Sequence, residues 1–299
     1  MHQAIIDIGS NSMRLTVYEA DGADFKILFK EKIMAGLAGY VENGHISNDG
    51  IRRACEGLLE FKKTLSLVGI NDNIHVFATA SLRNIKNTAE AAKNISETTG
   101  FEIDIITGEE EAILGYIGVM RKFSVSDGVF VDIGGASTEI SVFKNNALLF
   151  SKSYQIGSLK LYKECVKKIL PGEGSIKRIR KIIKDTISDN ISENCAPQKK
   201  LICIGGTARA ILKLAKRLNL ISENENSIKE ESLKNIGELL TGDKKNAADM
   251  ILKTDPERIH TMIPGYLILQ YIAERFGAKE ITISDYGVRE GYLCRKILS

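Results

Sequence analysis

Residues Gly128 to Phe143 read GVFVDIGGASTEISVF. Val129, Phe130 and Val131 form an apolar strand that ends on Asp132, Gly134 to Thr138 make a turn of small residues, and Glu139 opens a second strand. A carboxylate at a strand end, followed by a turn with approachable backbone N–H groups, suits a metal-bound phosphate. The amides form a nest for the anion and the carboxylate faces the cation. A related pattern lies near the start of the chain, where Ala4 to Asp7 leads into Gly9, Ser10, Asn11 and Ser12, then Leu15, Val17 and Tyr18. Two strand-Asp-turn-strand units predict a duplicated fold that closes on one phosphate site.

The surrounding chain supports that reading. Its 299 residues suit about two domains, at roughly 100–200 residues each. Apolar residues make up 43% and charged residues 26%, and no apolar run approaches the roughly 18 residues of a membrane span. A soluble globular protein without a membrane partner is expected. The start, MHQA, enters a strand directly, without the basic and apolar regions of a secretory leader, so the expected location is cytoplasmic. A net charge of +3 is too small to indicate a nucleic-acid partner. Lys177, Arg178, Arg180, Lys181 and Lys184 surround isoleucines at helical spacing, which is first a solvated helix face and second a surface able to gather a polyanion. The five cysteines are scattered and odd in number, so reduced thiols are expected, and the four histidines lack ligand spacing.

In chain order, strands are expected at 3–8, 14–20 and 25–34, then a helix capped by Ser47, a strand at 74–78, a helix at 87–99, a strand at 102–106 and a helix at 109–123. The order then repeats. Strands at 128–133, 138–143 and 147–154 precede helices at 158–169 and 175–192, a strand at 200–204 and a helix at 208–218. A loop is expected over 219–229, helices over 230–240, 244–252 and 262–276, a strand over 280–284 and a closing helix over 287–298. Meanders followed by strand-helix-strand order imply parallel crossovers. The domains are expected at 1–123 and 124–299, and the closing helix could pack back on the first. This α/β pattern resembles two ribonuclease H-like lobes of the actin, sugar kinase and heat-shock ATPase superfamily around a central cleft.

Several residues are candidates for chemistry. Asp7, Asp132 and Glu139 supply oxygen ligands for a magnesium ion, with backbone amides around the anion. Arg83, after a buried strand, offers the planar fork that suits phosphate. Glu109, Glu110 and Glu111 open a helix, where the dipole favours acids. Three in a row exceed capping needs, and one could activate a water for in-line attack on phosphorus. Gly205, Gly206 and Thr207 open another helix whose amides could hold a further phosphate or a nucleotide.

Six ordered motifs, DIGSNSMRL, ATASLRN, ITGEEEAILGYIGV, VFVDIGGASTEI, CIGGTARAI and SDYGVREGYL, together resemble the exopolyphosphatase and guanosine pentaphosphate phosphohydrolase (Ppx/GppA) family, in its short two-domain form. The resemblance covers essentially the whole chain. It implies release of terminal phosphate from polyphosphate or pppGpp, and hence a part in the stringent response. It also implies magnesium dependence, with manganese as a substitute and potassium as a monovalent companion, and an association that could be a homodimer. Position by position, it makes Glu111 the water-activating residue, assigns Asp132 and Glu139 to metal and catalytic support, and makes Arg83 a phosphate ligand. Asn11, Ser12, Gly134, Gly135, Ser137 and Thr138 would line the phosphate path. Ala136 replaces the usual third glycine of the turn, which matters where φ is positive. Rival readings are a kinase or ATPase of the same superfamily and a non-catalytic sensor of polyphosphate or an alarmone such as guanosine tetraphosphate.

Overall fold

The computed structural model describes residues 1–123, 125–188 and 200–298. Cys195, the end of the helix expected to reach 192, and the boundary residue Ser124 lie outside them. The chain divides into two compact units, Met1–Gly118 with Val288–Ser299, and Val119–Gly287.

The first unit opens as a meander of β1 (His2–Ile8), β2 (Met13–Asp21) and β3 (Asp24–Ile33), with Gly22 in the left-handed region at the β2–β3 turn. A 3-10 turn (Leu37–Tyr40) and a short hairpin, β4 (Val41–Glu42) with β5 (His45–Ile46), come next and were not anticipated. Helix α1 (Asn48–Leu67) begins where Ser47 accepts a hydrogen bond from the Gly50 N–H, a side-chain cap that satisfies one otherwise orphaned donor. Then come β6 (Ile74–Ala78), α2 (Ala80–Arg83), α3 (Thr88–Thr99), β7 (Ile103–Ile105) and α4 (Gly108–Met120). The sheet order is β3-β2-β1-β6-β7, antiparallel through β1 and parallel beyond it.

Strand periodicity decides what faces where. Ala4, Ile6 and Ile8 of β1 join Leu58, Phe61 and Leu65 of α1 in one buried cluster, and each large side chain removed from water contributes about 1.5–3 kcal/mol. Asp7, being of the other parity, belongs to the opposite face. It pairs in register with Phe77 of β6, and Phe77 in turn with Asp104 of β7.

The second unit repeats the plan with β8 (Gly128–Ile133), β9 (Thr138–Lys144) and β10 (Ala147–Tyr154). Asn145 and Asn146 both have positive φ at the β9–β10 turn, the conformation an Asn pair tolerates in a tight hairpin. Helices α5 (Ser158–Cys165) and α6 (Glu173–Thr186), strand β11 (Lys200–Ile204) and helix α7 (Gly205–Arg217) follow. Strand β12 (Ser227–Lys229) lies inside the segment expected to be a loop. It pairs antiparallel with β13 (Glu280–Ile283) and closes the sheet edge in the order β10-β9-β8-β11-β13-β12. Helices α8 (Glu230–Thr241), α9 (Lys244–Thr254) and α10 (Met262–Phe276) and strand β13 (Glu280–Ile283) complete it. Val129 and Val131 of β8 share a core with Leu201 and Cys203 of β11, Leu214 of α7 and Ile268 of α10.

The chain ends in the first unit, as α11 (Val288–Tyr292) and a π-helical turn (Leu293–Ile297), where one continuous helix was expected. No helix among the described residues is long and apolar enough to cross a membrane. The described cysteines, Cys55, Cys165, Cys203 and Cys294, are free thiols.

Candidate active site

In the first unit, the carboxyl ends of parallel strands β1, β6 and β7 bring three loops to one sheet edge, the edge at which ligands bind in open α/β sheets. The turn after β1 is tied down through its carbonyls. The Gly36 N–H donates to the Asn11 oxygen and Ala38 to that of Ser10, both at 2.9 Å, and the Ser81 hydroxyl donates to the Ile8 carbonyl. A Cβ on Gly9 would stand 2.7 Å from the Ser12 carbonyl oxygen, so only glycine fits there. Ser10 and Ser12 are buried, and the Asn11 Nδ2 donor is buried without a hydrogen-bond partner. An unsatisfied buried amide costs free energy unless a ligand accepts from it, which makes Asn11 the best-marked anion contact of this turn.

After β6, Arg83 sends Nη1 to Glu111 Oε2 at 2.7 Å and to the Ile106 carbonyl at 3.1 Å. Glu111 is 7% exposed, in the first turn of α4. The Thr107 hydroxyl accepts from the Glu110 N–H and the Thr107 carbonyl from the Glu111 N–H, which builds the helix start. Arg83 therefore spans the β6 loop and the base of α4.

Asp7 lies within electrostatic reach of Arg289 on α11. Burial opposes the charge of that guanidinium, but Glu290, Tyr18 and Asp7 outweigh it and hold the group protonated. The Tyr18 hydroxyl donates to Glu290 Oε1 at 2.8 Å, and burial, reinforced by that carboxylate, pushes the phenol well above its ordinary range.

In the second unit, Asp132 and Glu139 face each other in register across the β8–β9 hairpin. Glu139 is 1% exposed, and its Oε1 accepts from the Ser153 hydroxyl at 2.7 Å. The turn between them closes with the Gly134 N–H on the Ser137 carbonyl, and the Thr138 hydroxyl donates to the Ile156 carbonyl. The start of α5 takes the turn's carbonyls, with Ser158 N–H on Gly134 and Leu159 and Lys160 N–H on Gly135. Ala136 does not have a positive φ, so its Cβ is accommodated without backbone strain. The residue that needs the left-handed region is Gly205, at φ 90°. A Cβ there would stand 2.4 Å from Asp132 Oδ1. Gly205 thus lets the start of α7 close on the Asp132 carboxylate, where the helix dipole favours negative charge. Burial, then the charge of Asp132, pushes the Cys203 thiol far above its usual range. Thr207 is buried, and Gly265 of α10 packs against it.

The two units thus each gather part of the expected set: Asp7, Asn11, Ser12, Arg83 and Glu111 in the first, and Asp132, Gly134, Gly135, Ser137, Thr138, Glu139, Gly205, Gly206 and Thr207 in the second. Two adjacent carboxylates with hard oxygen donors, Glu139 being oriented by a serine, fit a magnesium ion, which characteristically takes one or two carboxylates plus phosphate oxygens. Sequence reading missed Ser153, Ser158, Tyr18, Arg289 and Glu290, whose roles depend on partners distant in the chain. It also missed Arg258, 9% exposed with its charge opposed by burial and supported by Asp255 and Glu257, and the buried, unpartnered Thr261 hydroxyl nearby.

The family model described as the Ppx/GppA phosphatase family matches residues 16–299. Among curated proteins, a bifunctional 3-dehydroquinate synthase/phosphatase of Fusobacterium nucleatum is 27% identical over 298 residues, covering 95% of this chain and 45% of that protein. A guanosine-5'-triphosphate,3'-diphosphate pyrophosphatase of Pseudoalteromonas translucida is 27% identical over 298 residues, covering 97% and 58%. A putative exopolyphosphatase of Haemophilus influenzae is 24% identical over 305 residues, covering 97% and 90%. The chain spans about half the length of the first two. Among solved structures, an exopolyphosphatase from Cytophaga hutchinsonii superposes with a TM-score of 0.87 at 20% identity, covering 98% of this chain and 96% of that one. The Ppx/GppA member from Aquifex aeolicus gives 0.78 at 24%, covering 100% and 98%. These likenesses establish the fold.

Proposed function

Because the chain belongs to the Ppx/GppA phosphatase family, we propose that it hydrolyses phosphoanhydride bonds, releasing terminal orthophosphate from inorganic polyphosphate, pppGpp or both, in the cytoplasm. The observation that carries the reading is Glu111, buried at the strand-end edge of the first sheet and held by Arg83 at 2.7 Å.

In the proposed reaction, Glu111 takes a proton from a water as its oxygen attacks the terminal phosphorus in line. The bond to the bridging oxygen breaks, and its electron pair leaves with the shortened chain. Arg83 fixes the Glu111 carboxylate, which pre-organises the base. Asn11, Ser12 and the amides of the 134–138 turn bind and orient phosphoryl oxygens. Asp132 and Glu139 would hold the magnesium ion, which neutralises phosphoryl charge when bound; manganese would substitute. What supports catalysis over a sensor role is that Ala136, which stands where the family's turn usually has its third glycine, does not have a positive φ.

The test is phosphate release with magnesium from short polyphosphate, long polyphosphate, pppGpp and ATP in parallel. Release from one of the first three, lost in Glu111→Gln, is expected. Turnover of ATP alone, or tight binding without release, would displace the reading.

A further inference from the structure

Asp7, Phe77 and Asp104 form a row in register across three parallel strands of the first sheet. The C-terminal segment covers that row. Arg289 comes within electrostatic reach of Asp7, the Tyr292 ring stacks on Phe77 with centroids 4.9 Å apart, and the Tyr292 hydroxyl donates to Asp104 Oδ2 at 3.0 Å. One turn later, Lys296 Nζ sits 2.7 Å from Asp104 Oδ2 and also 2.7 Å from Glu110 Oε1. Its ammonium lies 5.2 Å from the Tyr292 ring centroid, within cation–π reach. Glu110 immediately precedes Glu111 in the first turn of α4. A Cβ on Gly291 would fall 1.8 Å from the Leu114 carbonyl oxygen, so α11 also lies directly against the α4 backbone.

The segment 106–111 is therefore gripped from two sides. Arg83 holds it through the Ile106 carbonyl and Glu111 itself. Lys296 holds it through Asp104 on the strand before it and Glu110 on the helix after it. All three side chains of the Lys296 bridge are about one-third exposed, so the bridge adds little to global stability. Its consequence is geometric: it fixes the angle at which α4 leaves β7, and so where Glu111 points.

We infer that Lys296 is a positioning residue for the proposed hydrolysis, acting on Glu111 through Glu110, so that the C-terminal π-helical turn belongs to the machinery that aims the base. The inference rests on the proposed function for its kinetic consequence, but the ordering of residues 107–114 can be measured without turnover.

The experiment compares the full chain with Lys296→Met, Lys296→Arg, Glu110→Gln and the Lys296→Met/Glu110→Gln pair. Readouts are amide hydrogen exchange by mass spectrometry and phosphate-release kinetics. Lys296→Met should speed exchange across 107–114 while β1 stays protected, and should lower kcat about tenfold with KM within about twofold, a modest case of misplacing a catalytic group. Lys296→Arg should retain both, and the pair should behave like Lys296→Met, because Glu110→Gln removes only one of the two ion pairs that Lys296 makes. Tyr292→Phe, which removes only a hydroxyl, should show a smaller effect in the same direction. Unchanged exchange over 107–114 in a folded Lys296→Met protein would overturn the inference. So would equal losses on Lys296→Met and Lys296→Arg. If the unaltered chain releases no phosphate, the functional reading falls, while the exchange measurement still decides the positioning role.

Discussion

Arg83 and Glu111 form an ion pair 2.7 Å long inside the first unit, with side chains only 14% and 9% exposed. A pair this sheltered is costly to break from one side, because the remaining charge keeps its desolvation penalty. Arg83→Met should therefore destabilise the unit by about 2–3 kcal/mol, somewhat under the range for fully buried pairs. Glu111→Gln should be milder in stability yet lower turnover by at least about two orders of magnitude. Urea unfolding and phosphate release together separate the effects. An Arg83→Met protein as stable as the unaltered chain would contradict the pairing argument.

Gly205 and Ala136 should respond in opposite ways to their obvious exchanges. Gly205→Ala places a Cβ in the left-handed region and 2.4 Å from Asp132 Oδ1, so a loss of at least about 2 kcal/mol is expected from strain and displacement together. Ala136→Gly relieves nothing, since φ there is not positive, and should cost about 0.5–1 kcal/mol through the freer unfolded chain. Turnover should not rise. Thermal melts and kcat check both, and a more active Ala136→Gly would show that the turn is strained.

Metal binding should grade with distance from the ion. Asp132→Asn and Glu139→Gln should each abolish measurable manganese binding by water-proton relaxation. Ser153→Ala, which removes the hydroxyl orienting Glu139, should weaken it about 10- to 100-fold, as for other outer-shell partners. Chelation of the metal should stop phosphate release and leave the fold intact, because both units have apolar cores. Full affinity in Ser153→Ala would exclude the orienting role.

Tyr266 offers a pH signature. Burial pushes its phenol up to about 12, while its hydroxyl donates to the Leu233 carbonyl. A pKa raised on folding means the native state keeps its proton longer than the unfolded one. The stabilisation is full below about pH 10, the unfolded value, and falls as pH rises towards about 12, by at most roughly 2–3 kcal/mol. Tyr266→Phe should flatten that part of the alkaline stability curve. An unaltered slope would mean that other buried phenols carry it.

The sequence by itself determined the repeated strand-Asp-turn-strand units, the alternation that separates Asp7 and Asp132 from the core-facing residues of their strands, and the Ser47 helix start. These are local: period-two burial, turn chemistry and a capping hydroxyl act within a few residues and so are written in consecutive letters. It did not determine β12, whose three residues are too few for a period and which exists because β13 offers a free edge. Nor did it show that Arg83 reaches Glu111 across 28 positions, that Tyr18 reaches Glu290 across 272, or that Lys296 bridges to Glu110. Only the tertiary structure decided those, because a hydrogen bond depends on separation in space and chain order does not encode it. The Gly128–Phe143 stretch shows both sides. Its pattern announced a phosphate turn, but that Ala136 sits outside the left-handed region and that Gly205 has no room for a Cβ follow from backbone angles and one 2.4 Å approach.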